Sequence, residues 1–218
     1  MENYRRTERT RVRRLPERGH YDRATVHAIL DAGFICHVGY VIEGQPYVTP
    51  TAYWREGERV YWHGSSASRM LRNLAKGIPV CLTVTHVDGL VLARTGFNHS
   101  INYRAVMALG VAEQVTEEEH KLAALKEFVE RLYPKRWDTL RPPSKQELKA
   151  TTVFSMQLDE VSAKVRVGPP HDNAEDYALP IWAGVLPLAT MTGAPVPDPE
   201  LKPGIPVPDC VRDFVPAR

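Results

Sequence analysis

The stretch FICHVGYVIEGQPYVTPTAYWREGERVYWH, residues 34–63, decides the fold. It divides into three short runs rich in Val, Ile, Tyr and Trp: Phe34–Ile42, Pro46–Trp54 and Arg59–His63. β-Branched and aromatic side chains suit a pleated, half-buried surface. The joints are Glu43-Gly44 and Glu56-Gly57, and glycine supplies the positive φ that a tight hairpin turn requires. Two such hairpins in succession predict an antiparallel meander.

The pattern continues outward. Val80–His86 and Leu90–Thr95 flank Asp88-Gly89, a third predicted hairpin joint. A longer strand is predicted over Tyr103–Val115 and a last one over Thr152–Val167. Asp22 caps a predicted helix reaching Ala32, with Val26, Ile29 and Leu30 on one face and Gly33 closing it. Two further helices are predicted. Ser65–Lys76 has a serine-rich start, and Thr116–Tyr133 opens on a capping box of Thr116 and Glu119. The fold class is therefore mainly β with flanking helices.

Three regions follow. Residues 1–21 form a basic arm; residues 1–23 carry eight arginines, diluted by Glu2, Glu8, Glu17 and Asp22. Residues 22–168 hold the sheet. Residues 169–218 form a tail with 11 of the 18 prolines, unable to sustain a regular strand or helix for long. Leu179, Ile181 and Trp182 make that tail too apolar for a free linker, so it is expected to lie over the barrel or a neighbouring subunit.

Lys plus Arg number 28 against 26 for Asp plus Glu, which does not suggest a dedicated nucleic-acid binder. No apolar run approaches the roughly 20 residues of a membrane span. The Arg-rich start is no secretory signal, and three scattered cysteines fit neither a disulfide framework nor a zinc site. A soluble, cytoplasmic protein without a metal is expected.

The most informative chemistry lies in Tyr61-Trp62-His63-Gly64-Ser65-Ser66-Ala67-Ser68-Arg69. A helix N-terminus offers free N–H groups to an anion, serines add donors, and Arg69 adds a planar fork suited to phosphate. A plain serine-capped helix with a surface arginine reads equally well. Thr49, Thr51 and Tyr53 share one strand face beside that turn. Pro50 confines this strand to an edge or bulge, where backbone groups can meet a ligand. Arg94 and Arg104 could hold a second anionic group, and Phe97 could stack on a ring. No acid or base is assignable; His63 and His99 are the candidates nearest these motifs.

Taken together, Pro46-Tyr47-Val48-Thr49-Pro50-Thr51, the run Tyr61 to Met70, and Asp88 to Arg94 resemble the pyridoxamine 5′-phosphate oxidase-related flavin-binding proteins. Asn98 to Val106, Ala163 to Arg166 and Asp176 to Val185 fit the same group, so the likeness spans about Arg11 to Leu188. The resemblance implies an antiparallel split β-barrel of the FMN-binding type, a homodimer with flavin at the subunit interface. It implies that Ser68 and Arg69 hold the FMN phosphate, supported by Ser65 and Ser66 near His63. It also implies that Val48, Thr49, Pro50 and Thr51 border the flavin ring, that Asn102 and Arg104 lie near the cofactor, and that Trp182 covers the ring from a partner chain. The absence of a Gly-x-Gly-x-x-Gly loop for a pyrophosphate favours FMN over FAD. The chain departs from true pyridoxamine phosphate oxidases, whose basic signature is replaced by Val48-Thr49-Pro50-Thr51. The expected function is an FMN-dependent oxidoreductase of unknown substrate. The alternatives are a deazaflavin-dependent reductase and a non-catalytic flavin or haem carrier or sensor.

Overall fold

The computed structural model describes residues 2–216. After the two-residue strand β1 (Gly19–His20), helix α1 (Arg23–Asp31) starts where expected, with the Asp22 carboxylate accepting from Thr25 N–H. Strands β2 (Ile35–Ile42), β3 (Gln45–Glu56) and β4 (Arg59–Ser65) then form the meander. Its turns use Gly44 at φ 79° and Gly57 at φ 53°. Helix α2 is shorter than predicted, Arg69–Leu74, because Ser68 rather than Ser65 is its cap.

Asp88-Gly89 is not a hairpin joint. A single strand, β5 (Pro79–Leu92), runs through it, with a bulge where the register against β6 (Ser100–Val111) shifts between Val87 and Gly89. A bulge and a turn draw on the same residue types. Glycine serves here for close approach, since a Cβ would meet a Val185 methyl at 3.0 Å and the Leu186 carbonyl at 3.1 Å.

The strand predicted to reach Val115 breaks after Val111, and β7 (Glu113–Gln114) follows. Helix α3 (Glu118–Leu132) starts on Glu117 with no side-chain cap, so the Thr116–Glu119 capping box does not form. A capping box forms instead at Ser144 and Glu147, opening α4 (Lys145–Ala150). The last predicted strand is two, β8 (Thr151–Gln157) and β9 (Glu160–Arg166), which pair with different partners. The tail contributes β10 (Gly184–Pro187), paired to the end of β5 that β2 leaves free, and α5 (Asp209–Arg212).

The strand order is β1-β9-β6-β5-β2-β3-β4-β8-β7, with β10 on β5. Because β7 continues the line of β6 and pairs with β8, the sheet closes on itself. The split-barrel expectation holds. Val38, Leu82, Val84, Val106, Trp62 and Phe154 fill the interior, joined by Val26, Ile29 and Leu30 of α1 and Met70, Leu71 and Leu74 of α2. Each such aliphatic side chain contributes roughly 1.5–3 kcal/mol by burial. A second cluster, with Trp54, Tyr61, Val153 and Ala124, lies under α3.

Candidate functional site

The serine turn is built by its own backbone. Ser68 N–H donates to Ser65 O at 2.9 Å, Ala67 N–H to Ser65 Oγ at 3.2 Å, and Ser66 N–H to Ala150 O at 2.8 Å. Ser68 Oγ accepts from Leu71 N–H. Among the described residues nothing accepts from the N–H groups of Arg69 and Met70, and the Arg69 guanidinium meets no carboxylate. Arg69 instead stacks over Tyr47, 4.4 Å from the ring centroid. An arginine held by stacking keeps its donors free for an oxyanion.

Tyr47 belongs to β3, so the stack joins the turn to the second predicted group. Residues Gln45–Ala52 of β3 pair with β2 alone, while β4 takes up only Tyr53–Glu56. The first half of β3 is therefore an open edge, which is why Pro50 is tolerated there. Tyr47 stacks on Tyr40 at 5.7 Å, and Thr49 Oγ1 lies 3.0 Å from Tyr40 OH, so this face is held firmly. Thr51 Oγ1 donates to Ala52 O, and Val48, 67% exposed, points the other way. The Arg69–Tyr47 stack thus sets the serine turn beside the first half of β3, with Thr49 and Thr51 on the face of Tyr47 and Val48 and Pro50 on the opposite one.

The remaining predicted residues lie apart from it within the chain. His63 packs edge-on against Phe128 at 4.8 Å and beside Trp54, under α3. Its Nδ1 is buried without a partner, and burial pushes its pKa below 6.5, keeping the ring uncharged. Asn102 is buried, donating to Gly168 O at 3.1 Å and accepting from Arg166. Trp182 is 68% exposed and leans on Gly184. His99 Nδ1 bonds Thr95 O, and Phe97 is fully exposed.

Arg94 and Arg104 are each paired with a carboxylate within the chain. Arg104 donates twice to Asp88, both at 2.9 Å, and Arg94 donates to Asp172 through its backbone and its Nη1. Each charge is already neutralised. Sequence reading missed Tyr47 as the shelf for Arg69, although it sits inside the quoted motif. It also missed Asp172, whose separation of 78 residues from Arg94 left no signal.

Residues 22–165 match the pyridoxamine 5′-phosphate oxidase family. The chain belongs to it. Within the family fold, the chain is similar to the flavocytochrome Anf3 from Azotobacter vinelandii: 47% identity over 96% of this chain and 97% of that one, TM-score 0.92. It is also similar to the FAD and haem binding protein from Mycobacterium smegmatis: 35% identity over 90% and 96%, TM-score 0.87. No curated protein matches the chain.

Proposed function

We propose that this protein is a flavin-binding redox protein that also carries haem, working as a homodimer. The observation that carries the reading is Arg69, a cation with no carboxylate partner among the described residues, stacked on Tyr47 between a serine turn and an open strand edge. This arrangement fits a flavin. Arg69, Ser65, Ser66 and Ser68 would hold its phosphate, and the backbone of Val48–Thr51 would border its ring. The two similar proteins named above favour FAD together with haem, whereas the missing Gly-x-Gly-x-x-Gly loop favours FMN. FAD is the flavin proposed for this site.

His63 fits a haem. Its ring is uncharged, its Nδ1 has no partner, and uncharged imidazole is the form that ligates iron. Bound flavin and haem would supply two-electron and one-electron redox chemistry, and the protein the orientation and electrostatics. Trp54 and Phe128 pack against the His63 ring and fix its plane, so iron ligation at Nδ1 would require these rings to move aside.

The dimer is supported by the outer face of the barrel. Ile35 and Val41 of β2, Val48 of β3 and Val111 of β6 are all exposed there, and a closed two-fold contact would cover them from both chains. Trp182 would then cover a flavin from the partner chain. No helix among the described residues is long and apolar enough to cross a membrane.

One absorption spectrum of freshly purified protein, followed by chromatography of the released cofactor, tests the reading. Flavin bands, a Soret band and released FAD are expected. A deazaflavin spectrum, or no chromophore after reconstitution with flavin and haem, would overturn it.

A further inference from the structure

The basic N-terminal arm is anchored by its uncharged residues and displays its arginines. Tyr4 is buried, its hydroxyl donating to Glu58 and its N–H to Tyr21 O, both at 2.8 Å. Thr7 Oγ1 donates to Glu160 at 2.8 Å, Thr10 is buried, and Val12 N–H donates to Tyr21 OH at 2.8 Å. Between these anchors Arg5, Arg6, Arg9, Arg11, Arg13 and Arg14 are all exposed. Residues 5–14 thus hold six arginines against Glu8 alone, a net charge of +5 in a chain whose total is +2, which leaves −3 on the remainder.

Like charges fixed on one short segment repel, and the chain offsets little of that repulsion. Arg9 pairs with Glu160, while Arg11 and Arg13 share Glu8. Arg5 and Arg14 meet no carboxylate among the described residues, and Arg6 only stacks over Tyr21, 5.4 Å from the ring centroid. Lys164 of β9 adds a further cation, donating to Arg14 O. The anchors hold the arm without the free arginines, so these charges are not spent on folding. Arg9 also lines a groove shared with Tyr47, the shelf of Arg69, which puts the arm beside the candidate flavin site.

We propose that the arm is the docking face for a small acidic protein, a one-electron carrier that serves this chain's redox site. The carrier's role rests on the redox reading above. In each encounter the reduced carrier loses one electron and this protein's one-electron centre gains it, with no bond made or broken. A fixed array of arginines complements a carboxylate patch and steers the encounter more than it adds affinity. A ten-residue segment offers the small contact typical of redox encounters, under about 1,200 Å². The −3 on the remainder of the chain repels a polyanion that runs on past the arm, and so favours a compact partner.

The test is equilibrium binding of the full-length protein to an acidic [2Fe–2S] ferredoxin, with a basic c-type cytochrome as the probe of opposite charge. Both are titrated at about 0.01 M and about 0.15 M ionic strength, where the Debye length falls from about 30 to about 8 Å. Wild type binds the ferredoxin and not the cytochrome, and salt weakens the complex. Arg5→Glu with Arg14→Glu weakens it about tenfold or more at low salt and slows electron transfer from reduced ferredoxin in rapid mixing to match. Flavin content and melting temperature stay as in wild type. Lys145→Glu with Lys202→Glu, both exposed, makes the same change in net charge away from the arm and binds as wild type. Equal losses in the two double variants, or no ferredoxin binding by wild type, overturn the inference. So does tighter binding to a DNA duplex or to anionic lipid vesicles, which would assign the arm to a polyanion or a membrane surface. Protein that docks ferredoxin through the arm yet takes up neither flavin nor haem would overturn the redox reading and the carrier's role, and leave the acidic docking face standing.

Discussion

Arg69 and Arg104 look alike in the sequence, each an arginine just after a run of polar residues, yet the fold treats them oppositely. Arg104 is closed off by a two-pronged contact with Asp88, and its neighbour Arg94 by Asp172. Arg69 has an aromatic shelf and no counter-ion among the described residues. A neutralised arginine is architecture because its charge is cancelled, even where one donor, Arg94 Nε, is buried without a partner. A stacked arginine without a counter-ion is held in place at little cost to its donors, and so remains available for a ligand.

The sharpest way to break this comparison is Arg69→Ala. It is expected to weaken flavin binding by about 2–5 kcal/mol, the usual loss when one partner of a buried charged contact is removed. The melting temperature of the apoprotein should hardly move, since surface changes away from caps and cores typically stay within about 0.5 kcal/mol. Arg72→Ala, whose guanidinium only meets Ala67 O, is the control and should bind flavin normally. Equal losses at both positions would reduce Arg69 to a surface charge.

Next in size is the clasp on the other side of the comparison. Burial works to raise the pKa of Asp172, but hydrogen bonds from Arg94 and Asn98 outweigh it and hold the carboxyl below 3.8. A carboxyl depressed in the folded state stabilises fully above its unfolded pKa, and that contribution disappears as pH falls through the lowered value. The protection factors of residues 173–188, taken against the intrinsic exchange rate at each pH, should therefore be high and flat at neutral pH and fall below about pH 4. Asp172→Asn should exchange fast at neutral pH and lose the acid step. If it stays protected, the tail is held elsewhere.

Arg104→Ala sharpens the same contrast with a smaller effect. It leaves Asp88 partly exposed and unpaired, so a stability loss of about 1 kcal/mol is expected in thermal unfolding. Flavin affinity of the folded protein should be retained. A flavin loss approaching that of Arg69→Ala would mean that Arg104 leaves Asp88 for the cofactor once two chains meet.

Legibility in the sequence followed the distance over which each feature is decided. Gly44 and Gly57 are settled within their own turns, and both hairpins were read correctly. Asp88-Gly89 was misread because the choice between turn and bulge rests on β6 and on Val185 of the tail, far along the chain. The single strand predicted over Thr152–Val167 breaks because β8 and β9 answer to different partners, β4 and β6. At the site the same rule holds. Ser65 to Arg69 is contiguous and was visible, whereas the Tyr47 shelf and the Asp88 and Asp172 counter-ions exist only once the strands are assembled.

The smallest expected effect carries the comparison to histidines. His86 Nε2 has Ile29 O as its partner at 3.0 Å, whereas His63 Nδ1 has none among the described residues. By the argument made for arginines, His86 is architecture and His63 is kept for a ligand. Keeping a buried nitrogen unpartnered costs apoprotein stability, so His63→Phe, which extends the ring contacts with Trp54 and Phe128, should raise the apoprotein's stability by about 1 kcal/mol. The pH dependence has a definite sign. His63 is depressed below 6.5 by burial, so between 6.5 and the lowered value the unfolded chain binds the proton that the folded chain refuses. Wild-type stability therefore falls as pH drops below about 6.5, and the advantage of His63→Phe widens from pH 8 to pH 5. Paired thermal melts of the two apoproteins across that range measure it, and the haem spectrum of the reconstituted variant gives the other half. A variant that is more stable yet lacks the Soret band would place His63 with Arg69. A less stable variant that keeps its haem would place it with Arg104.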